Sequence, residues 1–371
     1  MKIIIIGAGV AGLAIGWRLA QAGAEVVVLE RAQPGQGATW ASAGMISAIA
    51  ESGDDASPDA VLGRQSGEMW PRFAAEIEEC SGRSIGFRVD GKLAVAQTPE
   101  EHDRLARRVG ELGGANGIAM LSADEAFAME PLLREDIAGA QWDPGEAQVD
   151  NRALGPALAA AFVHAGGTLR VDETAIRIER DKGASHAIGA RTPFATYWGD
   201  AVVLAAGAWS ARIDGLPPDI VPPVVPVKGE MIALGPRGEL PKHLISGGDV
   251  YLVPRGKRLL VGATLSRDGF DTSLSDTAAD WLLARAAALM PPLAEWPVVD
   301  HWAGLRPGSP DDLPLLGHTD IEGLLVASGQ FRNGILFAPA IARAMCDLIL
   351  GRDADHGIAA FDPRRFRAKR R

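Results

Sequence analysis

The sequence predicts an α/β protein, with one parallel-sheet domain assembled from three separated stretches of chain and a β-rich α+β domain inserted between them. Three observations predict it. The chain opens with a strand, a glycine-rich turn, a helix and a second strand, "MKIIIIGAGVAGLAIGWRLAQAGAEVVVLE". Pieces of the same texture return at "GDAVVLAAGAWS" and at "GLLVASGQFRNGILFAPAIARAMCDLIL". Between them lie strand-rich stretches such as "VPVKGEMIAL" and "VYLVPRGKRLLVGATL". A chain of 371 residues is usual for two domains, and 47% hydrophobic residues can bury both cores. The expected division is 1–85, 146–220 and 299–371 for the first domain, and 86–145 with 221–298 for the inserted one.

The opening stretch admits two readings. Lys2, the apolar run Ile3–Trp17 and the small residues "AQAGA" have the outline of a secretory signal peptide. A dinucleotide-binding unit makes stricter demands, and the stretch meets them. Lys2–Ile6 is the β-branched run of a strand buried on both faces. Gly7, Gly9 and Gly12 form G-x-G-x-x-G, with Gly7 for the tight bend, Gly9 for close approach of a pyrophosphate and Gly12 for helix-to-strand packing. Leu13–Gln21 reads as a helix whose N-terminus directs free N–H groups at the phosphates, and Gly23 stops it. Glu25–Leu29 is a second strand, and Glu30 stands at its end where a carboxylate accepts ribose hydroxyls. Cleavage after "AQAGA" would discard this design, so the fold is Rossmann-like. Only one such motif has the right context, which points to one bound dinucleotide.

Further along, a helix is expected over Ala60–Cys80 with Pro71 disturbing it, after a polar loop "ESGDDASPD". "PEEHDRLARRVGELGG" is amphipathic, and "GELGGANG" reads as its stop. Helices are expected over "NRALGPALAAAFVHAGG" and "TAADWLLARAAALMP". Ala201–Leu204 is a buried strand running into Ala205, Ala206 and Gly207, small residues that let a ligand approach.

Several function classes fall away. A net charge of −10 argues against a nucleic-acid or acidic-membrane partner. The basic end "PRRFRAKRR" reads as a frayed, solvated tail. The histidines and cysteines show no metal-ligand spacing, so no metal is expected. "GRSIG" matches G-x-S-x-G but lacks the strand-then-helix context of a nucleophile elbow, leaving Ser84 a turn residue. No run reaches the roughly eighteen apolar residues of a membrane span. Cys80 and Cys346 suit a reducing compartment, so a cytoplasmic location is expected.

The opening fingerprint, "SAGM", "VVLAAGAWS", "VPVKGEM", "YLVPR", "VGAT", "AGLRPGSPD" and "RNGILFAP" resemble, in order, the flavoprotein amine and amino-acid oxidases. Among these the likeness is greatest to the glycine oxidases of the thiazole branch of thiamine biosynthesis, and it spans nearly the whole chain. The resemblance implies FAD held without a covalent bond, since Cys346 lies inside the last expected helix rather than at the tethering cysteine of sarcosine oxidases. It places Val10, Ala11, Glu30 and Arg31 on pyrophosphate and ribose. Ala38, Thr39, Ala43, Gly44 and Met45 fall on the flavin-contacting loop, and Ala175 falls beside the adenine. Gly207 belongs to the same cofactor set. Gln330, Phe331, Arg332, Asn333, Gly334, Ile335 and Leu336 match the segment that wraps the isoalloxazine.

For the substrate the resemblance implies Arg306 as carboxylate anchor, a planar fork able to bind both oxygens, with Tyr251 on the same carboxylate and Arg332 nearby. Met45 and Leu265 line the amine pocket, where Leu265 replaces an expected methionine, and Gln330 replaces a common histidine. The implied activity is oxidation of glycine, sarcosine or small D-amino acids to the imine. The 2-oxo acid, ammonia and hydrogen peroxide follow, and the imine is on offer to thiazole synthase. A homo-oligomer is implied by the family. Two competitors differ in kind: an amine dehydrogenase passing electrons to a quinone, and a non-catalytic FAD-binding protein.

Overall fold

The computed structural model describes residues 1–47, 56–112, 117–352 and 357–366. The first part of the polar loop at 51–55, much of the helix stop at 113–116 and the basic tail from 367 lie outside the described residues. The chain begins with β1 (Lys2–Ile6), α1 (Val10–Gln21), β2 (Glu25–Leu29), α2 (Ala38–Ala41), β3 (Met45–Ile46) and α3 (Pro58–Ser81). Then come β4 (Arg88–Val89), β5 (Lys92–Ala96), α4 (Pro99–Glu111), β6 (Ala119–Leu121), α5 (Ala123–Met129) and β7 (Gly139–Asp143). A third stretch gives β8 (Ala147–Gln148), α6 (Asn151–His164), β9 (Thr168–Arg170), β10 (Arg177–Arg180), β11 (Ala187–Arg191), β12 (Thr196–Trp198) and β13 (Ala201–Leu204). A fourth gives β14 (Val225–Leu234), β15 (Leu244–Gly247), β16 (Val250–Arg255), β17 (Arg258–Gly262), α7 (Asp276–Leu289) and β18 (Val298–Gly308). The last elements are β19 (Leu315–His318), β20 (Leu324–Ser328) and α8 (Ala338–Ile349).

Strands from three separated segments form one sheet in the order β19-β20-β13-β1-β2-β9, parallel except at β19. Burial on both faces explains the unbroken apolar run of β1. Ile3 and Ile5 pack into the core that α1, α3, α6 and α8 form on one side, while Ile4 and Ile6 meet Ile178 and Ala190 of the β10-β11-β12 sheet on the other. Gly23, at φ +86, ends α1 in the left-handed conformation that glycine adopts without strain.

The second sheet has eight strands, β18-β14-β17-β16-β15-β5-β7-β6, antiparallel except where β15 meets β5. One face carries Leu93, Val95, Ile232, Leu252 and Val261, sealed by Leu282, Ala286 and Leu289 of α7. The opposite face carries Met231, Val253 and Leu260, which pack with Ala43 of the first segment. That face turns toward the parallel sheet.

One expected boundary and one expected helix can be placed more closely. The boundary expected at 299 falls inside β18, which pairs with β14 from Val298 to Gly308. We therefore propose the division at Gly308, since a strand cannot leave the sheet that satisfies its backbone. Pro71 does not interrupt its helix, because α3 runs on from Pro58 to Ser81. Burial outweighs the lost hydrogen bond there: Trp70 and Phe73 beside the proline are buried, and Trp70 Nε1 donates to Leu336 O at 3.0 Å. Ser84 lies in the irregular connection between α3 and β4, its hydroxyl donating to Glu78 at 2.9 Å.

Candidate active site

A cavity of about 1400 Å³ runs between the two sheets. Its first end is built largely of backbone. Gly7, at φ +106, turns the chain out of β1, and its N–H donates to Leu29 O at 2.8 Å. A Cβ there would stand 2.5 Å from Ala205 O, so β13 leaves room only for glycine. Gly12 does not line the cavity: a Cβ on it would come within 2.0 Å of Gly7 O, so its place is to seat α1 against the turn. Gly9 lines the cavity with nothing nearer its missing Cβ than Thr39 Oγ1 at 3.8 Å. Open space is what an approaching phosphate needs.

The side chains at this end brace that turn. Glu30 accepts from Ala8 N at 2.7 Å and from Ala32 N at 3.1 Å, and Thr39 Oγ1 accepts from Val10 N at 3.1 Å. Val10, Ala11, Arg31, Ala38, Ala175 and Gly207 all line the same space. Arg31 lies 3.5 Å over the ring of Trp209, a lining residue that sequence reasoning missed although it stands within the quoted "GAWS". Its signal was an aromatic residue directly after a run of small ones. An open phosphate turn, a helix N-terminus and a carboxylate at the second strand are the donor and acceptor set that fits a dinucleotide.

The middle of the cavity is lined by Ala43, Gly44, Met45 and the segment Gln330–Leu336. Phe331 N donates to Pro307 O at 2.9 Å, tying that segment to the end of β18. Gln330 is buried, and its Nε2 has no partner among the described residues. Neither cysteine lines the cavity; Cys346 is buried within α8.

At the far end, side chains replace backbone. Arg306 of β18 lays its guanidinium over Gly229 of β14, where a Cβ would meet Nη1 at 2.3 Å. Nη1 donates to the carbonyls of Lys228 and Thr264, both at 3.3 Å, and the guanidinium also hydrogen-bonds the Tyr251 hydroxyl. Tyr251 has its own glycine, since a Cβ on Gly262 would stand 2.5 Å from its oxygen. The phenol also reaches Met231 Sδ at 3.7 Å. Burial pushes the Arg306 guanidinium below its ordinary value, Tyr251 pulls it back up, and the like charge of Arg332 pushes it down again. Among the described residues Arg306 has no carboxylate partner, so a surface salt bridge does not account for it. A desolvated cation beside a phenol and a second guanidinium has the chemistry that suits a small carboxylate.

Met45 and Leu265 both line this end, but Leu265 is 46% exposed and stands at its rim. Met231, 2% exposed, is the methionine that packs against Tyr251, and sequence reasoning singled it out only as part of "VPVKGEM". Tyr197, the other tyrosine, bonds Glu173 at 3.0 Å and does not line the cavity. Among the described residues no cluster of His, Cys, Asp and Glu could hold a metal ion, and no helix is long and apolar enough to cross a membrane.

A sequence profile for FAD dependent oxidoreductases matches residues 2–348. The chain is 37% identical to a glycine oxidase of Geobacillus kaustophilus over 366 residues, covering 97% of this chain and 95% of that one. It superposes on the crystal structure of glycine oxidase from Geobacillus kaustophilus with a TM-score of 0.92 at 35% identity, covering 99% and 100% of the two chains. It is also 33% identical to the bifunctional protein ThiO/ThiG of Trichormus variabilis, covering 98% of this chain but only 55% of that protein. With the glycine turn open to the cavity and the family match over residues 2–348, the chain belongs to the FAD-dependent oxidoreductases.

Proposed function

We propose that this enzyme oxidises glycine, and with it sarcosine or small D-amino acids, to the imine, which water converts to the 2-oxo acid and ammonia. The observation that carries the reading is Arg306, a largely desolvated guanidinium with no carboxylate partner among the described residues, at one end of a cavity whose other end is the glycine turn. FAD, when bound, supplies the two-electron acceptor, and its reoxidation by oxygen gives hydrogen peroxide. Gly7, Gly9, Val10, Ala11, Glu30 and Arg31 hold its pyrophosphate and ribose, and Ala175 and Gly207 border the adenosine. Ala38, Thr39, Ala43, Gly44, Met45 and Gln330–Leu336 hold the flavin.

Arg306 binds the substrate carboxylate with both arms of its fork, Tyr251 donates its hydroxyl to the same group, and Arg332 adds a second positive charge. Fixing one end of a small amino acid in this way orients its Cα–H, and orientation is the protein's main contribution to hydride transfer. Met45 and Met231 wall the pocket, with Leu265 at its rim. Likeness to the glycine oxidase of Geobacillus kaustophilus supports glycine as substrate. Likeness to the fused ThiO/ThiG proteins supports thiazole synthase as the recipient of the imine. We further place the protein in the cytoplasm as a homo-oligomer holding its FAD without a covalent bond, consistent with two unpaired cysteines away from the cavity.

An oxygen electrode tests the reading. Glycine should drive oxygen uptake with one peroxide and one ammonia formed per oxygen consumed. Reduction of a quinone dye without oxygen uptake would make it a dehydrogenase instead, and a flavin that no amine reduces would make it a binding protein.

A further inference from the structure

The flavin end and the amine end of the cavity stand on different sheets, yet hydride transfer requires their registration to within a fraction of an ångström. One residue outside the cavity lining spans the joint. Arg255 ends β16, the strand that carries Tyr251 on the same face, with the buried Val253 between them. At ~3.3 Å per residue the two side chains leave the strand about 13 Å apart.

The Arg255 fork holds two other stretches of chain at once, at 43 and at 148–151. Its Nε donates to Gln148 Oε1 at 3.1 Å and its Nη1 to Asn151 Oδ1 at 3.0 Å. Its Nη2 donates to Ala43 O at 2.8 Å and to Gln148 Oε1 at 2.9 Å. These partners in turn grip the segment assigned to the flavin. Asn151 Nδ2 donates to the carbonyls of Thr39 and Trp40 at 3.2 and 2.6 Å, Val149 N donates to Gly44 O at 2.8 Å, and Gln148 pairs with Met45. Gly44 stands at φ +72, and a Cβ on it would come within 2.1 Å of Val149 O and 3.1 Å of Arg255 Nη2. The segment reaches this close only because it lacks a side chain there.

A cation is a costly choice for such a joint. The side chain is 12% exposed, its partners are neutral oxygens, and the nearest carboxylate, Asp150, stands at 3.7 Å. Burial pushes the guanidinium down to about 10, with Asp150 drawing it back up. Apolar residues would fill the space at lower cost. What they could not do is fix a carbonyl and two amides in one plane, which only a planar fork of donors achieves.

We propose that Arg255 is a positioning residue for hydride transfer, locking the flavin-contacting segment Ala43–Met45 to the strand that presents Tyr251 to the substrate. The proposal rests on the reading that Ala43–Met45 touches the flavin. It predicts a separation of effects, because Arg306 and Tyr251 still hold glycine when Arg255 is changed.

The test uses the FAD-loaded enzyme, Arg255→Lys and Arg255→Met, with anaerobic stopped-flow reduction by glycine and FAD titration of the apoprotein. Arg255→Lys keeps the charge and loses the fork. It should melt cooperatively, bind glycine within about threefold of wild type, and reduce its flavin about 10–100-fold more slowly. Its Kd for FAD should rise about tenfold. Arg255→Met should behave alike, and if it fails to fold, Arg255→Lys decides. Wild-type reduction rates in Arg255→Lys overturn the proposal, as does a loss of glycine affinity as large as the loss of rate. Met45→Ala checks the premise separately. A shifted flavin spectrum upholds it, and an unmoved spectrum and FAD affinity remove the premise and the proposal with it.

Discussion

On the proposed reading the two ends of the cavity serve the same purpose, holding an anion, by opposite means. At the dinucleotide end the anion site is made of absences: Gly9 leaves space, Gly7 allows a positive φ, and Gly12 lets α1 sit against the turn. At the amine end it is made of two arginines and a tyrosine, and glycine serves only to let Arg306 and Tyr251 lie flat. The first design is largely local, its turn formed within residues 1–30 and braced by Thr39 and Ala205. The second is assembled from β14, β16, β17, β18 and the loop after β20, strands that meet only in the folded sheet. A backbone site tolerates no added atom, whereas a side-chain site fails by losing one.

The sharpest way to break this contrast is to add a methyl group where none fits. Gly12→Ala places a Cβ 2.0 Å from Gly7 O, so α1 must shift, at a cost of about 3 kcal/mol or more. Melting of the protein without FAD should drop accordingly. Second in size is removal of the anchor. In Arg306→Ala the KM for glycine should rise about a hundredfold, equivalent to ~2.7 kcal/mol, while FAD stays bound; an unchanged KM would take Arg306 out of its role. Gly9→Ala sharpens the distinction within the turn, because its Cβ meets only Thr39 Oγ1 at 3.8 Å. The apoprotein should melt as wild type while the Kd for FAD rises about tenfold.

The smallest effect concerns the motif that follows Arg306. Asp311 is paired with Arg365 at 2.9 Å and accepts from Leu313 N and Ser309 Oγ, both at 3.1 Å. Burial raises its pKa, but Arg365 and these donors outweigh burial and hold it below the ordinary 3.8. Below that value the unfolded chain binds the proton more readily than the folded one. Stability from this pair is therefore complete above about pH 4 and is lost as pH falls through the lowered folded value. Asp311→Asn should cost about 0.5 kcal/mol at neutral pH, the size of a solvent-screened pair, and the cost should shrink steadily as acid protonates the wild-type carboxyl. A cost that does not shrink as pH falls below the ordinary 3.8 would show packing rather than charge.

Legibility follows the same divide. β1, β2 and the glycine turn could be derived from strand periodicity and motif spacing because every determinant lies within one short stretch. The inserted sheet was visible as texture, but the membership of β18 was not, since only its pairing with β14 shows which sheet it joins. Arg306 and Tyr251 came through family likeness, because nothing local marks an arginine whose neighbours are carbonyls from distant strands. Arg255 was quoted within "YLVPR" and passed over. Its partners Ala43, Gln148 and Asn151 lie 212, 107 and 104 residues away, and a buried cation satisfied by neutral oxygens carries no charge pattern in sequence. Pro71 misled for a related reason, as its local penalty was real and the burial of Trp70 and Phe73 outweighed it.

The measurement that bears most directly on the central claim is anaerobic addition of glycine to the FAD-loaded protein, followed in the visible spectrum. Bleaching of the flavin band, and its return with peroxide on admitting air, is the predicted result. A flavin band that glycine, sarcosine and D-alanine all leave unchanged would contradict it.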